Sequence, residues 1–301
     1  MGLSDSELSG LSAPEGLACK LAFSGAPKHL GPCRAQNVDL EDKPVQKEFE
    51  GKVALVTGAG SGIGREAALA FAAQGAIVFG ADLNDNGLEE TKSLVASFGG
   101  KMTGRRLDVS AEQEMANFIA LIDKEAGRLD AAFNNAGITG GAHRIEDYPT
   151  ADFERVLKIN LLSVFLGMKF ELPLMRKTGG GAICNTASVA ALTGPGGMSA
   201  YAASKHGVHG ITRVAAMENA AHGIRVNALA PGWTETPMVV SNSAQNPAFA
   251  QQAKNAIPMK RGGKPSELAA AAVWLCSSGS SYMAGHMLVV DGGMTVGGFE
   301  F

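Results

Sequence analysis

Cysteine is scarce in this 301-residue chain, and the few cysteines are widely spaced. The four are Cys19, Cys33, Cys184 and Cys276, and none belongs to a C-x-x-C pair. A structural zinc site or a disulfide framework requires closer clustering, so both are disfavoured and no metal site is predicted. Cys184 and Cys276 lie in apolar runs, where a free thiol behaves as a small hydrophobic group.

The sequence also lacks a long hydrophobic run and an excess of charge of one sign. The longest apolar runs, Ala67 to Ala73 and Leu161 to Met168, are well below the roughly 20 residues that a membrane-spanning helix needs. The formal net charge is -3 and no long basic block occurs, which argues against a nucleic-acid or membrane partner. No lysine or arginine precedes Lys20, so the chain is expected to be soluble and cytoplasmic.

Two regions differ in composition. Residues 1–48 show no helical or strand period, which predicts a flexible or surface-draped N-terminal extension. In residues 49–301, short apolar runs alternate with longer amphipathic stretches, the pattern of repeated βαβ units. We therefore predict one doubly wound α/β domain, with a parallel sheet of about seven strands and helices on both faces.

The alternation also gives approximate element positions. Strands are predicted at Val53 to Thr57, Ile77 to Ala81, Lys101 to Asp108, Ala131 to Asn134, Ala182 to Thr186, Arg225 to Leu229 and Met287 to Val290. Helices are predicted at Ile63 to Gln74, Gly87 to Phe98, Ala111 to Ala126, Thr150 to Lys177, Tyr201 to His222 and Pro265 to Cys276. Residues 233–264 lack a clear period and are long for a loop in a compact domain, which predicts a lid.

The first predicted strand leads into a glycine-rich stretch that opens the first helix. Glycine at this place permits a tight turn, close approach of the backbone to a diphosphate, and close helix–strand packing. The helix N-terminus offers free N–H groups and positive dipole to phosphate. Glycine also marks ordinary turns, but this position after an apolar strand favours dinucleotide binding. The candidate cofactor residues here are Gly58, Gly60, Ser61, Gly62, Ile63 and Gly64.

An acidic residue follows the second strand. Asp82 lies 18 residues past Gly64, where a carboxylate can accept hydrogen bonds from both adenosine ribose hydroxyls and repel a 2′-phosphate. Neither Ser61 nor Leu83 supplies a cation for a 2′-phosphate, so NAD is favoured over NADP. The alternative is that Asp82 only caps the turn that follows it.

A tyrosine and a lysine four residues apart begin a later helix. Tyr201 and Lys205 therefore lie on one helix face, where the ammonium is expected to lower the pKa of the phenol. Such a phenol can exchange a proton with an alcohol or carbonyl oxygen. Ser188, thirteen residues before Tyr201, follows a strand at the edge where α/β sheets bind ligands. Its hydroxyl can hold a substrate oxygen; Ser199 and plain turn chemistry are the alternatives.

Several motifs together resemble those of the short-chain dehydrogenase/reductase family. Thr57 to Gly64 looks like its T-G-x-x-x-G-x-G motif, Asn134 to Gly137 like N-N-A-G, and Tyr201 to Lys205 like Y-x-x-x-K. The match extends from about Phe49 to Gly293. The resemblance implies a Rossmann-type fold and a nicotinamide-dependent oxidoreductase.

The resemblance also implies a catalytic tetrad of Asn160, Ser188, Tyr201 and Lys205. Tyr201 would be the acid/base and Ser188 would orient the substrate oxygen. Lys205 would bind the nicotinamide ribose and depress the pKa of the tyrosine. Asn160 would hold a helix backbone and a water in a proton relay; the alternative is a buried polar residue that braces its own helix.

Further cofactor contacts follow from the same resemblance. Asp108 and Val109 would contact the adenine, and Asn135, Ala136 and Gly137 the adenosine ribose and the sheet. Those at the nicotinamide would be Pro231, Gly232, Thr234 and Thr236. Thr234 stands where many relatives carry an aliphatic residue, and the N-terminal extension is a second departure. Family members are commonly dimers or tetramers, so a homo-oligomer, with a tetramer preferred, is expected.

The substrate is predicted from three loops that begin near Ile138, Val189 and Trp233. Their side chains are mainly apolar and suit a hydrophobic or cyclic secondary alcohol or ketone, although they can equally pack the lid on the core. The residues concerned are Ile138, His143, Leu192, Met198, Trp233, Met238, Val239 and Val240. A 3-oxoacyl-(acyl carrier protein) reductase and a non-catalytic dinucleotide sensor are the alternative functions.

Overall fold

The computed structural model describes residues 47–237, 239–241 and 247–296. The predicted extension therefore lies outside the described residues except at its end. There, Glu48 accepts a hydrogen bond from the Ser278 backbone N–H at 2.8 Å. Phe49 is buried and packs edge-to-face on Phe71, with ring centroids 5.1 Å apart. The chain has thus joined the packed core by residue 49.

Within the described residues, seven strands form one sheet in the order β3-β2-β1-β4-β5-β6-β7, and every neighbouring pair is parallel. The strands are β1 Val53–Thr57, β2 Ile77–Asp82, β3 Lys101–Arg106, β4 Ala131–Asn134, β5 Gly181–Thr186, β6 Ile224–Pro231 and β7 Met287–Val290. Chain order reverses between β1 and β4, and such a switch point opens a ligand crevice at the carboxyl ends of the strands. The predicted fold is confirmed.

Helices cover both faces of the sheet because its central strands are apolar on both sides. In β1, Val53 and Leu55 join a core cluster with α3, α5 and α6, whereas Ala54 and Val56 join a second with α1, α2 and α8. The helices are α1 Gly62–Ala73, α2 Asp85–Ser97, α3 Glu112–Ala126, α4 Thr150–Leu157, α5 Ser163–Lys177, α6 Ser199–Asn219, α7 Pro247–Ala256 and α8 Pro265–Cys276. None of the helices in the described ranges is long and apolar enough to cross a membrane.

Many element ends differ from the prediction by a few residues, and two differences are larger. The single helix predicted at Thr150 to Lys177 is divided by a π-helical turn, Lys158–Leu162, between α4 and α5. The predicted lid contains α7, which the sequence analysis did not predict. The π-helical turn packs against α6, a contact that hydrophobic periodicity does not report.

Candidate active site

A cavity of about 420 Å³ opens at the carboxyl ends of the strands, on both sides of the switch point. Its walls come from the loops after β1, β2, β4, β5 and β6, the loop after β3, and the start of α6. The predicted site residues that line it are Gly58, Ser61, Gly62, Ile63, Asp82, Leu83, Asp108, Val109, Asn135, Ala136, Gly137, Ser188, Tyr201, Lys205, Pro231, Gly232, Thr234 and Thr236. Residues far apart in sequence thus share one cavity.

Three predicted residues, Gly60, Gly64 and Asn160, lie behind this lining rather than in it. Gly64 belongs to α1 and lies so close to the loop that a Cβ built on it would be 2.0 Å from the Gly58 carbonyl oxygen. A side chain at this position would displace the loop. Gly64 therefore serves the close contact between α1 and the glycine loop, which leaves the N-terminus of α1 open to the cavity.

Asp82 ends β2 and holds the backbone on both sides of it. Its Oδ2 accepts from the Gly60 N–H at 2.9 Å and its Oδ1 from the Asn84 N–H at 2.9 Å. Asp82 therefore caps the turn that follows it, and it also lines the cavity. Lys205, at the far side beside Tyr201, is the one cation among the described residues of the lining. Within the described lining, no cation lies at the Asp82 end of the cavity.

Asn135 and Ala136 are fixed to the end of β1. The Thr57 hydroxyl accepts from the Asn135 N–H at 2.9 Å and the Ala136 N–H at 3.1 Å. The Asn135 amide in turn donates to the Thr57 carbonyl at 3.1 Å. In the loop after β3, Asp108 accepts from both the backbone and the hydroxyl of Ser110. These bonds fix the cavity floor across the switch point.

The nicotinamide-end residues of the prediction contact the backbone of their own loop. The Thr234 hydroxyl is buried and donates to the Gly232 carbonyl at 3.1 Å, and Thr234 forms a β-bridge with Gly263. The hydroxyl of Thr234, which an aliphatic side chain would lack, thus stabilises the loop. Thr236 lies beside the glycine loop, since a Cβ on Gly62 would be 3.3 Å from its methyl carbon.

Tyr201, Ser188 and Lys205 meet in the cavity beyond the end of β5. The Lys205 Nζ donates to the carbonyl of Thr186 at 2.8 Å and lies 5.6 Å from the centre of the Tyr201 ring. The Ser188 hydroxyl accepts from the Ala190 N–H at 3.1 Å, which fixes its rotamer. Ser188 lines the cavity, whereas the alternative Ser199 does not. Ser188 and Tyr201 can thus serve one substrate oxygen, with Lys205 beside the phenol.

The pKa values of these groups follow burial. Burial raises the pKa of the Tyr201 phenol, and its hydrogen bond with Ser188 opposes that rise. Burial lowers the pKa of Lys205 to about 8. The expected lowering of the phenol pKa by the ammonium is therefore not found: loss of hydration has the largest effect on the pKa of Tyr201 and raises it.

Asn160 lies in the π-helical turn and is completely buried. Its Oδ1 accepts from the Ile138 N–H at 2.8 Å, and its amide donates to the Ile138 carbonyl at 2.8 Å and to Ser204 at 3.1 Å. The backbone that it holds belongs to the loop after β4, and not to a helix as the resemblance implied. Ser204 and Thr186 are partners that sequence reasoning missed, because Ser204 is a variable position of the Y-x-x-x-K motif and Thr186 belongs to no motif.

The substrate prediction is only partly supported by the lining. Ile138 and Val239 line the cavity, together with Ile159 and Pro237, which were not predicted. Leu192 and Val240 are exposed, and the backbone N–H of His143 donates to the Gly197 carbonyl at 3.0 Å. The predicted residues absent from the described lining are His143, Leu192, Met198, Trp233 and Val240, while Met238 lies outside the described residues.

Known proteins match almost the whole of the described chain. The sequence profile of a family described as enoyl-(acyl carrier protein) reductase matches residues 58–295. Levodione reductase of Leifsonia aquatica is 40% identical over 254 residues, which are 82% of this chain and 95% of that protein. The chain belongs to the short-chain dehydrogenase/reductase family. The family predicted from the motifs is confirmed.

Two further relatives carry different names. Cyclohexanol dehydrogenase of Acinetobacter sp. strain SE19 is 38% identical and covers 84% of this chain and 99% of its own. The 3-oxoacyl-(acyl carrier protein) reductase of Thermotoga maritima is 38% identical, and the match covers 82% of this chain and 99% of that protein. This short-chain dehydrogenase/reductase is therefore an oxidoreductase that acts on CH–OH groups.

Solved structures agree with the fold. The crystal structure of levodione reductase has a TM-score of 0.79 and 39% identity, and covers 82% of this chain and 99% of its own. A protein described as a gluconate 5-dehydrogenase of Beutenbergia cavernae, with bound NADP, has a TM-score of 0.79 and 34% identity. It covers 84% of this chain and 100% of its own. Xylitol dehydrogenase with bound NAD+ has a TM-score of 0.79 and 34% identity, and covers 82% of this chain and 100% of its own. This fold thus binds a nicotinamide dinucleotide.

Proposed function

We propose that this enzyme transfers hydride between NAD(H) and a neutral, hydrophobic or cyclic secondary alcohol or its ketone. One observation carries the proposal: in the described lining, the charged side chains are Asp82, Asp108 and Lys205. The remaining walls, including Ile138, Ile159 and Val239, are neutral and largely apolar. A cavity of this kind favours an uncharged substrate. The cyclic alcohol in the name of the relative cyclohexanol dehydrogenase supports the same class.

NAD is proposed over NADP on the chemistry of Asp82. Its carboxylate would accept hydrogen bonds from the two adenosine ribose hydroxyls and would repel a 2′-phosphate. The open N-terminus of α1 at Ser61 would hold the diphosphate. Gly58, Gly62 and Ile63 complete the surface on that side of the cavity. The chemistry of these residues therefore suits both the adenosine ribose and the diphosphate of a dinucleotide.

The proposed mechanism uses four side chains of the chain. When bound, the nicotinamide supplies or accepts the hydride. Ser188 holds the substrate oxygen, and Tyr201 gives a proton to it during reduction or takes one during oxidation. Lys205 would bind the nicotinamide ribose, while Asn160 holds the Ile138 loop against α6. Because reduction consumes a proton and oxidation releases one, reduction is favoured at low pH and oxidation at high pH.

The test is an absorbance assay of the NADH band with the full chain and a panel of cyclic, aromatic, steroidal and aliphatic alcohols. Turnover with NAD on one uncharged class is the expected result. Turnover only with 3-oxoacyl substrates and NADPH would replace the proposal by acyl reduction. Calorimetric binding of NADH with no turnover on any substrate would replace it by a sensor function.

A homo-oligomer is proposed on an apolar groove across α4, α5 and α6. It is lined by Leu157, Leu161, Leu162, Phe165 and Ile211, together with the aliphatic part of Lys158. Leu162 is 39% exposed and Phe165 is 48% exposed, and two large side chains of this kind favour burial against a second copy. A tetramer and a cytoplasmic location remain predictions of the sequence.

A further inference from the structure

The glycine loop is held on its outer side by two side chains that do not line the cavity. The Thr91 hydroxyl, in α2, is completely buried and lies 2.9 Å from the Ala59 carbonyl and 2.9 Å from the Gly87 carbonyl. The Arg65 guanidinium, in α1, donates from Nη2 to the Gly60 carbonyl at 2.6 Å. Two consecutive carbonyls of the loop are thus bound from the same side.

Arg65 and Thr91 also bind one another. The Arg65 Nε donates to the Thr91 hydroxyl at 3.1 Å, and Nη2 is paired with the Glu90 carboxylate at 2.7 Å. The hydroxyl has a single hydrogen, so an arginine donor at its oxygen leaves that hydrogen for the carbonyls of the loop and of α2. Glu90 in turn keeps the guanidinium in one orientation. We call Arg65, Glu90 and Thr91 the outer clamp.

The clamp determines the direction of the loop N–H groups because a trans peptide is planar. The C=O and N–H of one peptide point to opposite sides, so a Gly60 carbonyl held by Arg65 turns the Ser61 N–H away from the clamp, and Ser61 lines the cavity. The preceding peptide is held at both ends, by Thr91 at its carbonyl and by Asp82 at its Gly60 N–H.

We propose that Arg65 and Thr91 are positioning residues that orient the loop N–H groups toward the dinucleotide diphosphate before the cofactor binds. The charge of Arg65 is not the active feature, since its guanidinium is paired with Glu90 and lies outside the cavity lining. The inference rests on the dinucleotide binding of the family, and not on the identity of the alcohol.

The experiment measures the Kd of NADH and of ADP by isothermal titration calorimetry, without substrate. The variants are Thr91→Val, Arg65→Gln and Arg65→Lys, and Lys92→Gln is the matched control because it removes an exposed ion pair of the same helix. Removal of a buried or charged hydrogen bond predicts a Kd about tenfold higher for the three variants, and an unchanged Kd for the control. The value of kcat at saturating cofactor is expected to stay unchanged.

Several results would overturn the proposal. A wild-type Kd in folded Arg65→Gln would show that the clamp is not needed, and full affinity in Arg65→Lys would assign the effect to charge. A loss of kcat with unchanged Kd would place these residues in catalysis instead. If Thr91→Val does not fold, the variants of the partly exposed Arg65 still decide the question. NADPH replaces NADH if the wild type prefers it, so the binding result does not depend on the proposed preference for NAD. It does not depend on the proposed substrate either, because no substrate is present.

Discussion

At the scale of single residues, burial changes the chemistry of the groups that matter. Lys205 is nearly buried, and its pKa is lowered to about 8 because the ammonium has lost hydration. Its hydrogen bond to the Thr186 carbonyl keeps it next to Tyr201. The sequence predicted the pair from its four-residue spacing, but it could not report how dry the site is.

Tyr201→Phe is the most direct test of the proposed acid/base. Removal of the hydroxyl leaves the ring and the cavity in place, so cofactor Kd is expected to stay unchanged while kcat falls by at least about a hundredfold. Stopped-flow turnover and NADH titration measure the two quantities. Tyr148→Phe is the matched control, because its hydroxyl binds Gly141 and Asp152 outside the described cavity lining. Undiminished turnover in Tyr201→Phe would refute the assignment.

Glu171 predicts a pH dependence of stability. It is completely buried in α5, accepts from the Asn134 amide at 3.1 Å, and burial raises its pKa to about 8. The folded protein therefore holds this proton more tightly than the unfolded chain. The stabilising contribution of this carboxyl is fully present below about pH 4.5 and is lost as the pH rises through 8, by an amount on the order of 5 kcal/mol.

Glu171→Gln imitates the protonated carboxyl and is expected to remove this pH dependence. Urea unfolding from pH 5 to 9 measures the free energy of unfolding of both proteins. The advantage of the variant should grow with pH through 8, and the exposed Glu154→Gln is the control. Parallel curves for the wild type and Glu171→Gln would show that the carboxyl is already ionised in the fold.

At the scale of elements, close contacts between helices and loops position the site. The π-helical turn Lys158–Leu162 faces Asn160 toward the Ile138 backbone, with hydrogen bonds of 2.8 Å in both directions. Nothing in the residues of this turn distinguishes it from regular helix. The sequence therefore predicted the residue without the local backbone that directs it, since that backbone is shaped by a contact with another element.

Two glycines in helices should respond in opposite directions to the same substitution. Gly64→Ala places a Cβ 2.0 Å from the Gly58 carbonyl oxygen, so we expect lost cofactor binding and a destabilisation of about 2 kcal/mol or more. Gly210→Ala in α6 meets no atom within 4 Å and should stabilise the fold by up to about 1 kcal/mol. Thermal unfolding with and without NADH measures both. Equal effects would contradict the assigned close contact.

At the scale of the whole molecule, the sheet order creates the cavity. β1 and β4 are neighbours although β2 and β3 intervene in sequence, so the loops after β1 and β4 separate and leave a crevice. The helices that cover the two faces also leave the apolar groove of α4, α5 and α6 at the surface.

The proposed homo-oligomer predicts different effects for two similarly exposed phenylalanines. Phe165 in the groove is 48% exposed and Phe98 after α2 is 49% exposed. Phe165→Glu would place a charge in the proposed interface and is expected to lower the mass measured by light scattering, whereas Phe98→Glu should leave it unchanged. A wild-type monomer, or an intact oligomer in Phe165→Glu, would refute the proposed interface.

The sequence by itself determined the family, the α/β class and the residues of the proposed tetrad. Strand alternation is a local property, and the motifs preserve chemistry at fixed spacing, so both are readable without a structure. Only the tertiary structure decided which side chains line the cavity, that Gly60, Gly64 and Asn160 stand behind it, and that Arg65 and Thr91 clamp the loop. Burial likewise raised the pKa of Tyr201 against the expected direction. The physical reason is that desolvation and close contact depend on atoms brought together from distant parts of the chain.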